Sequence, residues 1–246
     1  MLRAGIGGLA VLLAVIGQPG AASADTAPTT TRPVPNVAYP QRLLSTGASQ
    51  TVRVVIGWSG IPGSYPIVSY TLQESIDGGS ETTVATGPAT TYTLTANPGS
   101  TYSFQAQATD SNGDTGPFTA GPAFSLSEHQ QSFATYQGSW SPRRKLAGSW
   151  GGTVAATTSA GASATVTCTC MGIAFVSTVG QSYGTYQLYK DGALVQTRTA
   201  FAPLVVTKRV LYQAQWSADG AHTLEVVNEG TPVHPRLDVD GFLILS

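Results

Sequence analysis

Cys168 and Cys170 are the only cysteines in the 246-residue chain, and their C-x-C spacing raises redox or metal chemistry first. They continue the alternation Ala164, Val166, with Thr165, Thr167 and Thr169 between. On a strand both sulfurs would face the core. Strand positions two apart lie about 6.6 Å from each other, at the edge of disulfide geometry, so a bridge would have to kink the strand. A metal would want further Cys or His ligands, and there are no more cysteines. The reading favoured is buried free thiols acting as small hydrophobes, with a local disulfide, or metal and redox chemistry, as the alternatives.

Gly180-Gln181-Ser182-Tyr183-Gly184 matches the G-x-S-x-G nucleophile pattern, and His222, His234, Asp219 and Asp240 are there to complete a triad on paper. That nucleophile needs a strand-to-helix turn. Strand-like alternation on both sides makes this segment a hairpin loop instead, so no catalytic residue is assigned. Asp238 and Asp240 share one face of the closing stretch, where they are expected to hydrogen-bond loop amides or pair with Arg209 or Arg236.

Flat rings and basic groups are the remaining chemistry. Sugars are held by stacking on aromatic faces, with polar groups fixing their hydroxyls. Trp58, Trp140 and Trp216 fall on apolar faces and read as core. Trp150, between Gly148 and Gly151, Tyr183 in the Gly-rich hairpin and Tyr189 on a polar strand face are the candidate ligand contacts. Pro142-Arg143-Arg144-Lys145 is the one charge cluster, and Arg143 and Arg144 are added to the candidate set as contacts for an acidic sugar; a solvated loop is the plain alternative.

The elements that must position these groups are strands. Charged residues make up 10% of the chain, and Thr, Ser and Val recur without helical spacing beyond the first twenty residues. A formal charge of −1 gives no support for nucleic acid or an anionic membrane as partner. Arg3, the apolar run Ala4 to Ile16 and Ala22-Ser23-Ala24 read as an export signal over residues 1–24, too short to span a membrane. Residues 25–36 read as an extended Thr/Pro tether. In residues 37–127, alternation at Val52, Val54, Ile56 and Trp58, a turn at Asp77-Gly78-Gly79, and the inward set Tyr102, Phe104, Ala106 and Ala108 predict about seven short antiparallel strands. Residues 128–246 predict eight or nine more, with hairpins at Asp191-Gly192 and Asp219-Gly220. The chain closes on Leu237, Val239, Leu243 and Leu245, an apolar stripe expected to bury one strand face.

The run Asn97-Pro98-Gly99-Ser100-Thr101-Tyr102-Ser103-Phe104, with the Trp58 and Tyr70 strands, resembles a fibronectin type III domain, in which Tyr102 would be the corner tyrosine. No Arg-Gly-Asp is present to suggest integrin-type adhesion. Residues 128–246 resemble the galactose-binding-like jelly rolls of exported bacterial proteins. The ordered set Tyr136-Gln137-Gly138-Ser139-Trp140, Gly161 to Val166, Tyr189-Lys190-Asp191-Gly192, Gly220 to Leu224 and Asp238 to Phe242 carries that likeness. In calcium-carrying jelly rolls of this kind a final-strand carboxylate holds the ion near an N-terminal Glu, which would make Asp238, Asp240 and Glu128 a structural Ca²⁺ site. The paired-Glu motif is only loosely matched by Glu128-His129-Gln130.

The expectation is an all-β, exported, non-catalytic protein without a resident cofactor. A fibronectin-like unit would act as spacer, and a jelly roll would bind glycan or cell-envelope polysaccharide outside the cell. Adhesion to another extracellular protein, or an accessory role in a polysaccharide hydrolase system, are the competing readings.

Overall fold

The alternating runs through Val52 to Ile56 and Tyr102 to Ala108 become strands, as the sequence predicts. The computed structural model describes residues 25–46 and 49–246, and the export signal read over 1–24 lies outside these. Among the described residues regular structure is strand, apart from two three-residue 3-10 turns, and no helix is long and apolar enough to cross a membrane.

The N-terminal body is a sandwich. Its strands are β1 (Val34–Val37), β2 (Ser49–Gly57), β3 (Ile67–Ile76), β4 (Thr82–Gly87), β5 (Thr91–Ala96), β6 (Thr101–Asp110) and β7 (Phe124–Gln130). One sheet runs β1-β2-β5, with Leu44–Thr46 paired to the first residues of β2; the facing sheet runs β4-β3-β6-β7. Val52, Val54, Ile56, Trp58, Phe104 and Ala106 meet between them as expected. Asp77 and Gly78 reverse the chain in the longer loop between β3 and β4, with φ of 53° and 72° and the Gly79 N–H closing on the Ile76 carbonyl at 2.9 Å. Tyr102 is buried, and its hydroxyl accepts from the backbone N–H of Asn97 at 2.9 Å. Residues 25–36 are not a free tether. Thr29 and Thr30 pair with Ile61 and Gly60, β1 pairs with β2, and Pro28, Thr30, Pro33 and Pro35 are buried. Too apolar-poor to fold alone, the segment is held by a ready-made sheet edge.

The C-terminal body comprises β8 (Ser141–Lys145), β9 (Thr153–Thr157), β10 (Ser163–Val179), β11 (Thr185–Lys190), β12 (Ala193–Thr199), β13 (Val206–Asn228), β14 (Leu237–Val239) and β15 (Gly241–Leu245). The order β12-β11-β13-β10-β15 makes one sheet and β8-β9-β14 the other. Asp191-Gly192 forms its hairpin turn at φ 49° and 79°. Asp219-Gly220 does not. Neither residue has positive φ, and β13 runs on through them along the same partner: Gln215 faces Gly172 and Gly220 faces Cys170. Four residues, Trp216 to Asp219, therefore bulge opposite Met171 alone.

The free-thiol reading is also corrected beside this bulge. Cys168 and Cys170 are disulfide-bonded, their Cα atoms 5.5 Å apart, closer than regular strand spacing, at the end of a regular stretch of pairing just before the register shifts. Cys170 is buried and Cys168 half-buried.

The closing segment departs further from expectation, because both of its faces are buried. It breaks between Val239 and Gly241: β14 joins the small sheet and β15 the large one. In β15, Phe242 and Ile244 pack into the C-terminal core, while Leu243 and Leu245 pack with Phe124, Leu126 and Met171 in the core of the N-terminal body. The division expected between Ser127 and Glu128 falls inside β7. That strand pairs Phe124 with Tyr102 of β6, then residues Leu126 to Gln130 with β15, so one sheet runs through both bodies.

Candidate functional site

Two groups of polar side chains are built around the break in the closing segment. Asp238 of β14 is fully buried, and Arg236 grips it with Nε on Oδ1 and Nη2 on Oδ2, both at 2.7 Å. Tyr183 donates its hydroxyl to the same Oδ2 at 2.7 Å, with the Arg236 guanidinium 4.9 Å from its ring centre. Burial and the neighbouring Asp238 charge hold the Tyr183 phenol well above its ordinary range. Asp240 is equally buried. Its Oδ1 accepts the backbone N–H of Trp150 at 2.8 Å and its Oδ2 has no hydrogen-bond partner. Burial pushes its pKa up to about 7; the N–H groups of Trp150 and Lys208 and the Lys208 charge pull it down, and Asp238 adds to the rise.

These contacts remove two candidates from the surface. Trp150 is 5% exposed and Tyr183 is 2% exposed, so neither can stack on a sugar from solvent. Trp150 lies against Gly241, where a Cβ would come within 2.8 Å of its ring; the missing side chain lets the indole sink over the strand. Tyr183 is drawn inward by Asp238. Tyr189 is half-buried, its hydroxyl donating to Gln187 Oε1 at 2.7 Å.

Arg143 and Arg144 are exposed, and the structure brings Arg144 together with a residue read as core. Ser141 faces Ala156 and Arg144 faces Val154, so β8 carries one more residue than β9 across that interval. This bulge at Pro142-Arg143 puts Ser141 and Arg144 on one side, whereas a regular strand would oppose them. Both line a pocket of 240 Å³, with Trp140, Thr158, Ser159 and Arg236. A shallower hollow around Trp140, Arg143 and Arg144 adjoins it. Trp140 is half-buried: its ring is 4.9 Å from Tyr136 and its Nε1 donates to Gln137 O at 3.0 Å. Its place directly before the basic run was the available signal. Arg236 thus has two roles, holding Asp238 inside while lining the pocket.

Calcium does not fit the residues proposed for it. Glu128 turns to Gln50, whose backbone N–H it accepts at 2.8 Å, and Asp238 is committed to Arg236. No three metal-ligating side chains converge among the described residues. Ser182 is exposed in a loop between β10 and β11, without the strand-to-helix turn. His234 bonds the Gln181 carbonyl and packs on Phe201, while His222 pairs with Asp191 at 3.1 Å.

A second concavity of 660 Å³ lies on the seam between the bodies. β1 forms one wall and the Gln213–Ser217 stretch of β13 the other.

No family model and no curated protein matches the chain. Among solved structures it is similar to the CBM36-1 domain of a multidomain xylanase from the hindgut metagenome of Trinervitermes trinervoides, at 16% identity over 48% of this chain and 95% of that one, TM-score 0.33. It is similar to an exo-beta-1,3-galactanase from Phanerochaete chrysosporium, at 11% identity over 85% of this chain, TM-score 0.34; the chain spans 57% of that protein's length. A carbohydrate-binding module of the beta-sandwich superfamily is matched at 13% identity over 91% of this chain and 93% of that one, TM-score 0.26.

Proposed function

We propose that this chain is an exported, non-catalytic carbohydrate-binding protein whose binding head is the pocket of Trp140, Arg144 and Arg236. A half-buried indole supplies a flat apolar wall, Ser141 and Ser159 supply hydroxyls, and the exposed Arg144 guanidinium supplies donors, with Arg236 held beside it by Asp238. The observation that carries the reading is the β8 bulge, which aims Ser141 and Arg144 into one pocket beside Trp140. With Arg143 beside it and no acidic side chain in its lining, the pocket suits a sugar bearing a carboxylate, since guanidinium pairs bidentately with that group. The N-terminal body remains a fibronectin type III-like unit in this proposal, and residues 128–246 a galactose-binding-like jelly roll.

Affinity electrophoresis of the full chain in gels containing polygalacturonate or alginate tests the reading. Retardation by either polymer, weakened at least tenfold in Arg144→Ala, is the expected result. Unchanged retardation in that variant, or none for the folded parent, removes the pocket from consideration.

One observation favours a second reading, contact with another protein. Phe201, Leu204, Val205 and Val233 are 48%, 74%, 64% and 86% exposed on neighbouring loops, a cluster of apolar side chains at one tip. Leu204→Ser would abolish partner capture under that reading and leave sugar binding intact.

A further inference from the structure

The seam between the bodies carries features that a spacer domain would not need. Its wider part, 660 Å³, is lined by uncharged residues throughout, among them Asn36, Tyr39, Gln213, Gln215 and Trp216. A second part of 520 Å³ shares Val34, Gly57 and Ser217 with it, so the two form one elongated groove. Arg32 is the single charged residue in that second part, and its Nη2 donates to the Ser217 carbonyl at 2.7 Å. Gln215 Nε2 donates across the groove to the Pro35 carbonyl at 2.6 Å. These two hydrogen bonds tie wall to wall and set the width before any ligand arrives, which lowers the cost of binding.

The walls themselves are fixed. The Trp216 ring stacks on His222 at 4.0 Å with Lys190 Nζ 4.6 Å from its centre, and its N–H is committed to Asp191 Oδ2 at 2.6 Å. The four-residue bulge of β13 places Trp216 and Ser217 at the groove. Tyr39 stands 40% exposed at the same groove, its hydroxyl held by Arg198. Side-chain amides offer a donor and an acceptor side by side, the arrangement that pairs with adjacent hydroxyls of a pyranose ring. No charged side chain lines the wider part, so recognition there runs through amides, hydroxyls and rings rather than through ion pairs.

We infer that this groove is a second carbohydrate site, distinct from the rim pocket, which takes an extended run of uncharged sugar units and uses both bodies at once. It does not rest on the Trp140 pocket. The N-terminal body is then half of a binding surface.

Gly57 offers a clean test. It lines both parts of the groove, its φ is not in the left-handed region, and a Cβ built there meets nothing within 4 Å. Gly57→Ile therefore fills the groove at a strand position that tolerates a branched side chain. The full chain would be run in gels containing xylan, β-1,3-galactan or glucomannan, with polygalacturonate and alginate alongside. The expected result is retardation in at least one uncharged polymer, weakened tenfold or more in Gly57→Ile, with melting temperature and acidic-polymer binding unchanged. Gln213→Ala reads the same site should the isoleucine variant fail to fold. Full retention of binding in the variants overturns the inference, as does indifference of the folded parent to all three uncharged polymers. Light scattering that shows a dimer lost in Gly57→Ile also overturns it, since a second copy would then fill the groove.

Discussion

Asp238 and Asp240 are the same residue two positions apart, both with no exposed surface, yet their surroundings are opposite. Around Asp238 the chain has assembled a guanidinium fork and a phenol, so each carboxylate oxygen has a strong donor. Around Asp240 it has placed only backbone N–H groups, those of Trp150 and Lys208, with an indole beside them and a second oxygen that no hydrogen bond reaches. Burial alone therefore does not set what a carboxylate costs or contributes; the donors within reach do. The Asp238 group ties the hairpin loop before β11 to the small sheet, while Asp240 sits where the chain leaves that sheet for the large one.

Breaking the satisfied group should have the largest effect. Arg236→Ala leaves a buried carboxylate without its cation, and chemical denaturation should show a loss of about 3–5 kcal/mol. The contrast sharpens with pH. Folded Asp240 keeps its proton to about pH 7, far above the unfolded value near 3.8, so the folded chain binds more protons in between. The Asp240 contribution to stability should therefore be full at and below the unfolded pKa, fall as pH rises toward 7 and be lost above it, a change on the order of 4 kcal/mol. Burial also raises Glu128 and lowers His129, so the difference between the parent and Asp240→Asn isolates the Asp240 part. That variant should flatten the slope, and an unchanged slope would mean Asp240 is ionised in the fold. Tyr183→Phe removes one hydrogen bond to Asp238 while the guanidinium stays, so a smaller loss of roughly 1.5–3 kcal/mol is expected in the same denaturation series. Arg144→Ala lies at the surface, outside either group, and should shift stability by no more than about 0.5 kcal/mol while weakening acidic-polymer binding.

The contrast also marks how far the sequence could be read. Alternation at Val52, Val54 and Ile56, and left-handed turns at Asp77-Gly78 and Asp191-Gly192, are local signals, and they came through intact. Asp219-Gly220 carries the same turn letters but meets a strand, β10, long enough to pair on both sides of it, so tertiary pairing wins. The closing stripe was legible on one face only, because nothing local says that Phe242 and Ile244, on the other face, also meet a core. Site residues fared worse for a related reason. A tryptophan between glycines reads as exposed, yet Gly241 and the Asp240 carboxylate draw Trp150 inside. Trp140 reads as core and does pack against the C-terminal core, but nothing local shows that it also lines the pocket beside Arg144. Arg143 and Arg144 stayed at the surface because charge without a buried partner has nowhere else to go.

Strand β7 has a mechanical meaning. It is bonded edge to edge with β6 at its start and with β15 beyond, and Leu126, which it contributes, packs with Leu243 and Leu245. A load applied across the two halves would meet rungs of hydrogen bonds lying side by side, which must shear together, and the chain has no slack connector there to stretch. The molecule should carry tension as a single plate, and a surface that spans both halves keeps its shape while it does so.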